Sequence, residues 1–147
     1  VPVTAIHKSA LVPYSATEMY GLVADVDRYG EFLPWCGGAK VLTRTDSEVT
    51  ASIRIAYGSL QRSFTTRNTL EPDRGMTMQL VDGPFRRLHG VWRFVPLDEQ
   101  ACKVLLDLDF EFENAMLSLV AGPAFSRIAN SLVDSFRDRA VALYGRR

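Results

Sequence analysis

At 147 residues, 47% of them hydrophobic and 23% charged, the chain is long enough for one domain with a sizeable core. Its 17 basic and 17 acidic residues cancel. That balance excludes a general electrostatic affinity for nucleic acid or anionic membrane and leaves only local patches.

Thr4 to Val12 reads as a first strand. Ser15 is a good N-cap, and Glu18 three residues later completes a capping box. Met19, Leu22, Val23 and Val26 recur at helical spacing, so a helix should run to about Asp27. Arg28 to Leu33 fits a second short helical turn ended by Pro34. Beyond Gly37-Gly38 the period becomes that of strands. Ala39–Arg44 and Glu48–Ala56 are joined through Thr45-Asp46-Ser47. Tyr57-Gly58-Ser59 turns into Leu60–Leu70, and Pro72-Asp73-Arg74-Gly75 turns again into Met76–Asp82. Gly83-Pro84 breaks the pattern, Leu88–Val95 resumes it, Pro96–Gln100 turns, and Ala101–Phe112 is the clearest strand. There Val104, Leu106, Leu108, Phe110 and Phe112 share one face, while Asp107, Asp109 and Glu111 share the other.

From Ala115 the period returns to 3.6. Leu117, Val120, Ala121, Ala124, Phe125, Ile128, Leu132, Phe136, Ala140 and Leu143 form one stripe. Gly122-Pro123 either kinks this helix or marks where its longer part begins. Grouped strands with helices on one face predict an α+β fold: a curved antiparallel sheet of about seven strands closing on a long C-terminal helix, in a single domain over residues 1–147.

The residues offer little for catalysis. His7 and His89 stand alone in strands, and no metal-ligand spacing, nucleophile elbow or phosphate loop is present. The acids Asp107, Asp109 and Glu111 read as a solvated face. Cys36 has no activating base or cation near it in sequence. Cys36 and Cys102 form no Cys-x-x-Cys pair, which fits reduced thiols in a cytosolic protein. No apolar run nears the roughly 18 residues of a bilayer span, and the start shows neither a signal nor an Arg-rich transit peptide. Arg127, Arg137, Arg139, Arg146 and Arg147 gather toward the C-terminus as a candidate basic patch.

A hydrophobic cavity is the better prospect. A curved sheet gripping a helix can leave space lined by Phe64, Met78, Trp92, Phe110, Phe125, Ile128 and Leu132. Arg62 shares the strand face of Phe64, so an inward Arg62 is a candidate partner for a ligand oxygen. The aromatic turn around Phe32 and Trp35 is a candidate lid, membrane contact or partner surface.

The segment Pro13-Tyr14-Ser15-Ala16 through Tyr29-Gly30-Glu31-Phe32-Leu33-Pro34-Trp35-Cys36 resembles the coenzyme Q-binding protein family, which includes the ribosome association toxins called RatA. Phe125 to Gly145, with Leu132-Val133-Asp134-Ser135-Phe136 and Arg139-Ala140, resembles it too. Gly30 departs from the family, which commonly has Pro there. The resemblance implies the helix-grip, START-like fold. It further implies a non-enzymatic carrier whose cavity holds ubiquinone or another polyprenyl lipid, no cofactor being required, with Tyr14 or Arg62 at the head group. Its alternative implication is binding to the large ribosomal subunit, which blocks subunit joining. Hydrophobic small molecules and that subunit are thus the expected partners; DNA and a transmembrane anchor are not.

Overall fold

The computed structural model describes residues 3–58 and 60–147. Ser59, in the turn expected at 57–59, lies outside the described residues, as do Val1 and Pro2. Strand β1 (Thr4–Val12) leads into helix α1 (Ala16–Ala24) and a 3-10 helix (Val26–Glu31). Strands β2 (Cys36–Arg44), β3 (Glu48–Tyr57), β4 (Leu60–Glu71), β5 (Gly75–Asp82), β6 (Phe85–Asp98) and β7 (Ala101–Phe112) follow. Helix α2 (Ala115–Tyr144) comes last. The strands form one antiparallel sheet in the order β1-β7-β6-β5-β4-β3-β2. The first strand therefore pairs with the last, and the two helices after β1 carry the chain across to the opposite edge.

The capping box starts α1 as expected. Ser15 Oγ accepts from the Glu18 N–H, and the Glu18 carboxylate accepts from the Ser15 N–H, both at 3.0 Å. The helix stops at Ala24, so Val26 belongs to the 3-10 segment rather than to α1. Two strands exceed the sequence signals by three residues or more, and β3, β4 and β5 by one. β2 starts at Cys36 because a register shift absorbs Gly37, and β6 continues through Pro96 to Asp98 because a second shift absorbs the missing N–H of proline. Gly75 has no alternative at its position: a Cβ there would lie 2.3 Å from the Trp92 carbonyl oxygen on the neighbouring strand.

Helix α2 runs through Pro123 without a break, as one helix of 30 residues. Ala121, Phe125, Ile128, Ala129, Val133, Phe136 and Ala140 are buried against the sheet. Val120 and Leu143 leave the stripe and are exposed. By length and composition α2 could cross a membrane, but its inner face is part of the core.

Residues distant in sequence hold the C-terminal end of α2. The Tyr14 hydroxyl donates to the Gly145 carbonyl at 2.6 Å. Arg147 makes a two-pronged pair with Glu18, at 2.7 and 2.9 Å, and its guanidinium lies over the Tyr14 and Tyr144 rings. The Arg147 hydrogen bond, then that from the Ser15 backbone, holds the Glu18 carboxyl down at about 2. A depressed carboxylate pKa stabilises the fold above the unfolded value, and that contribution is lost as pH falls. Glu18→Gln keeps the cap acceptor but removes the charge. The stability difference between parent and variant should hold from pH 7 to about 4.5 and vanish toward pH 2. Urea titrations across that range test it, and a pH-independent difference refutes it.

Candidate functional site

Between the inner face of the sheet and the middle of α2 lies a cavity of about 60 Å³. The alternation of each strand sends one side chain in two toward it, and the 3.6 period of α2 turns Phe125, Ile128, Ala129, Leu132 and Phe136 toward it. Of the residues expected from sequence, Trp35, Phe64, Met78, Trp92, Phe125, Ile128 and Leu132 are in its wall. Tyr29, Ile53, Leu88, Leu108, Ala129 and Phe136 join them. Two unanticipated polar residues, Thr66 and Asn68, do so as well. Both are buried, at 3% and 2% exposure, on the inner face of β4 between Phe64 and Leu70. The strand alternation through Phe64 and Leu70 already pointed them inward.

Four expected residues are not in the wall. Tyr14 is spent on the Gly145 carbonyl at the helix end. Phe32 packs edge-on against Tyr29 and Phe136 under the Arg139 guanidinium. Phe110 sits in a solid aromatic cluster with Phe85, Phe112 and Phe125, its ring 4.7 Å from that of Phe125. Arg62 does not point into the cavity. It is exposed, on the end of β4 before Thr65 that has no β5 partner beside it. It lines one surface groove with Arg54, Asp82 and Glu113, and another with Tyr57, Leu117, Val120 and Ala124. Near the second groove the start of α2 shows Met116, Leu119 and Val120 at 75%, 79% and 71% exposure.

Among the described residues no Asp, Glu, Lys, Arg or His lines the cavity, so its wall carries no formal charge. The Tyr29 hydroxyl donates to the Val23 carbonyl, and burial pushes its pKa up, so it stays neutral. Trp35 is 6% exposed, and its indole N–H has no partner among the described residues. The volume is well below the ~300–1,000 Å³ of ordinary ligand pockets. A larger occupant therefore enters only if half-buried wall residues such as Phe64, Met78 and Leu132 move; methionine is the most adaptable of these.

The acids of β7 are a paired outer face, Asp107 by a hydrogen bond and Asp109 and Glu111 by ion pairs, as the alternation implied. Asp107 meets His7 at 2.6 Å, Asp109 meets Arg87 at 2.7 Å, and Glu111 meets Arg86 at 3.1 Å. The C-terminal basic patch is smaller than its composition suggests. Arg137 pairs with Asp134, Arg139 with Glu31 and Arg147 with Glu18. No group of three or more metal-ligating side chains occurs among the described residues. Burial pushes the Cys36 thiol up, and burial with the Glu18 charge pushes Cys102 up to about 11. Both thiols are then protonated near neutrality, the reverse of an activated nucleophile. Iodoacetamide at pH 7.5 should alkylate the folded protein at least about tenfold slower than a free cysteine peptide. Equal rates would contradict this.

Residues 12–137 match the family described as polyketide cyclase/dehydrase and lipid transport. The ribosome association toxin RatA of Pseudomonas aeruginosa is 48% identical over 142 residues, covering 97% of this chain and 99% of that protein. The chain belongs to the polyketide cyclase/dehydrase and lipid transport family, in its RatA branch. A mitochondrial coenzyme Q-binding protein homolog B of Xenopus laevis is more distant, 29% identical over 95% of this chain and 59% of its own length. The solution structure of an 18 kDa protein of Caulobacter crescentus is 31% identical, covers 97% of this chain and 99% of that one, and superposes with a TM-score of 0.76. The START-like fold expected from the sequence is thus the fold observed. It is shared with the Zhui aromatase/cyclase of Streptomyces sp. R1128, TM-score 0.78 over 99% of this chain and 100% of that one. At 19% identity, that likeness concerns the fold alone.

Proposed function

We propose that this protein acts at the ribosome, binding the large subunit and hindering subunit joining in the bacterial cytoplasm. The sequence reading ranks lipid carriage first and this role second. The 48% identity to a ribosome association toxin, over nearly the full length of both chains, reverses that order. Net charge near zero argues for a shape-specific contact rather than general attraction to RNA. Exposed Arg127 and Arg146, outside the ion pairs of the C-terminal patch, are the cations there to test first. Purified ribosomal subunits are mixed with excess protein and resolved on a sucrose gradient. A smaller peak of joined ribosomes is the expected result, and an undiminished peak overturns the proposal.

A second reading rests on the cavity. Its uncharged, largely apolar wall supports binding of a hydrophobic molecule, and one relative is named for coenzyme Q binding. On this reading the protein binds without catalysing, and ubiquinone or another isoprenoid is the ligand to look for. An isoprenoid tail needs more than the present volume, so it would spread the wall between β4, β5 and α2. Native mass spectrometry of gently purified protein, followed by organic extraction, tests the idea. A stoichiometric isoprenoid supports it. An empty protein whose melting is unmoved by added quinone removes it. The two roles are compatible, since one fold can host several functions.

A further inference from the structure

The start of α2 turns an apolar face to solvent. Met116, Leu119, Val120 and Pro123 recur at the spacing of one helical face, opposite the buried Ala121, Phe125 and Ile128. The first three are 75%, 79% and 71% exposed. This is not a frayed end: the Asn114 side chain accepts from the Leu117 N–H at 2.8 Å and caps the helix. Val120 also forms part of the groove between α2 and the β3–β4 connection, with Tyr57, Leu60, Leu117 and Ala124. A ridge of large apolar side chains beside an apolar groove is the kind of surface that marks a contact site. Charged groups surround it. Arg62 is shared with the neighbouring groove, where Arg54, Asp82 and Glu113 stand. Arg127 lies about three turns along the outward face of α2 from Met116.

We infer that this ridge and groove are the surface that meets the large ribosomal subunit, and that they meet protein there rather than RNA. This rests on the proposed role at the ribosome, and it adds the docking surface and the chemistry of its partner. The charge pattern is the reason. An apolar centre inside a rim that carries both signs is the anatomy of a protein–protein contact. RNA or an anionic bilayer would bring phosphates against Asp82 and Glu113 as well as against the arginines. A protein surface of mixed charge complements both. A second copy of this chain is the poorer occupant. A lasting dimer buries roughly 1,000 Å² or more a side, which is more than three ridge residues and a short groove present.

Affinity for purified large subunits is measured for the parent and for the triple variant Met116→Gln/Leu119→Gln/Val120→Gln, whose new side chains are polar and suit a helix. The variant should bind about tenfold or more weakly and melt as the parent does, since all three positions are exposed. Leu119→Gln alone, at the most exposed of the three, should lose affinity in the same direction. Between about 50 and 200 mM salt at fixed magnesium, the parent's affinity should fall by less than about tenfold, where a contact built on phosphates loses about 10³–10⁵. Large-subunit RNA stripped of its proteins should not bind. Tight binding of the stripped RNA, or a steep fall with salt, makes the partner RNA and overturns the inference. Capture of the parent but not the triple variant by phosphatidylglycerol vesicles makes the face a membrane contact and overturns it too. So does a parent dimer that the triple variant dissociates. Undiminished subunit binding by the triple variant overturns the inference and leaves the role at the ribosome standing. If the parent does not bind large subunits at all, that role falls and this inference with it.

Discussion

Phe136→Ala should cost about 3–5 kcal/mol of folding stability. Phe136 is fully buried where α2 crosses the 3-10 segment and the sheet. Its ring lies 5.2 Å from Phe32, 5.3 Å from Trp92 and 5.4 Å from Tyr29, each edge-on. Truncation removes the transfer energy of a benzyl group and leaves a void that joins the existing cavity. The surrounding strands cannot collapse into that void without breaking their ladders. For a protein of ordinary stability, about 5–15 kcal/mol, this is a large share of the total. The urea midpoint should fall by about 1–3 M. A loss under about 1 kcal/mol would show that the helix is held mainly by its ends, through Tyr14 and Arg147, rather than by this contact.

Gly90→Ala should abolish most binding of hydrophobic probes while leaving the protein folded. A Cβ at position 90 would come within 2.5 Å of Met78 Cε and 3.0 Å of Leu108 Cδ1. Both of those side chains line the cavity. The clash is with the far end of a flexible methionine, so Met78 swings away rather than the backbone moving. The adjacent free space is the cavity. Losing a methyl's worth of room from about 60 Å³ should weaken binding of a small hydrophobic probe by about tenfold or more. Overpacking costs about 1–3 kcal/mol, offset by about 0.5–1 kcal/mol from replacing a strand glycine. Calorimetric binding beside a thermal melt tests both halves. Unchanged binding would mean that ligands do not use the space beside Met78.

Local rules made most of the fold legible. The Ser15–Glu18 capping box, the alternation through Val104 to Phe112 and the change of period at Ala115 each depend on neighbours a few residues away. Rules of that range work without tertiary context. Phe64, Met78 and Trp92 follow from strand alternation, and Phe125, Ile128 and Leu132 from the helical period; alternation also points Thr66 and Asn68 inward, though their polar character hid it.

Tertiary structure decided the rest, for reasons of length and distance. Arg62 has the inward parity of Phe64 but lies where β4 outruns β5, so parity alone does not bury it. The C-terminal arginines look like a free patch until folding brings Glu31 and Glu18 to Arg139 and Arg147, 108 and 129 residues away in the chain. Phe110 and Trp92 have equal claims on a cavity by sequence. Only the packing of Phe85, Phe112 and Phe125 around Phe110 fills its space, while the wall beside Trp92 leaves a gap. That gap, and the unpaired indole of Trp35 in its wall, are properties of how side chains from five strands and two helical segments fail to close completely. Periodicity gives the direction of each side chain; the leftover volume depends on all of them together.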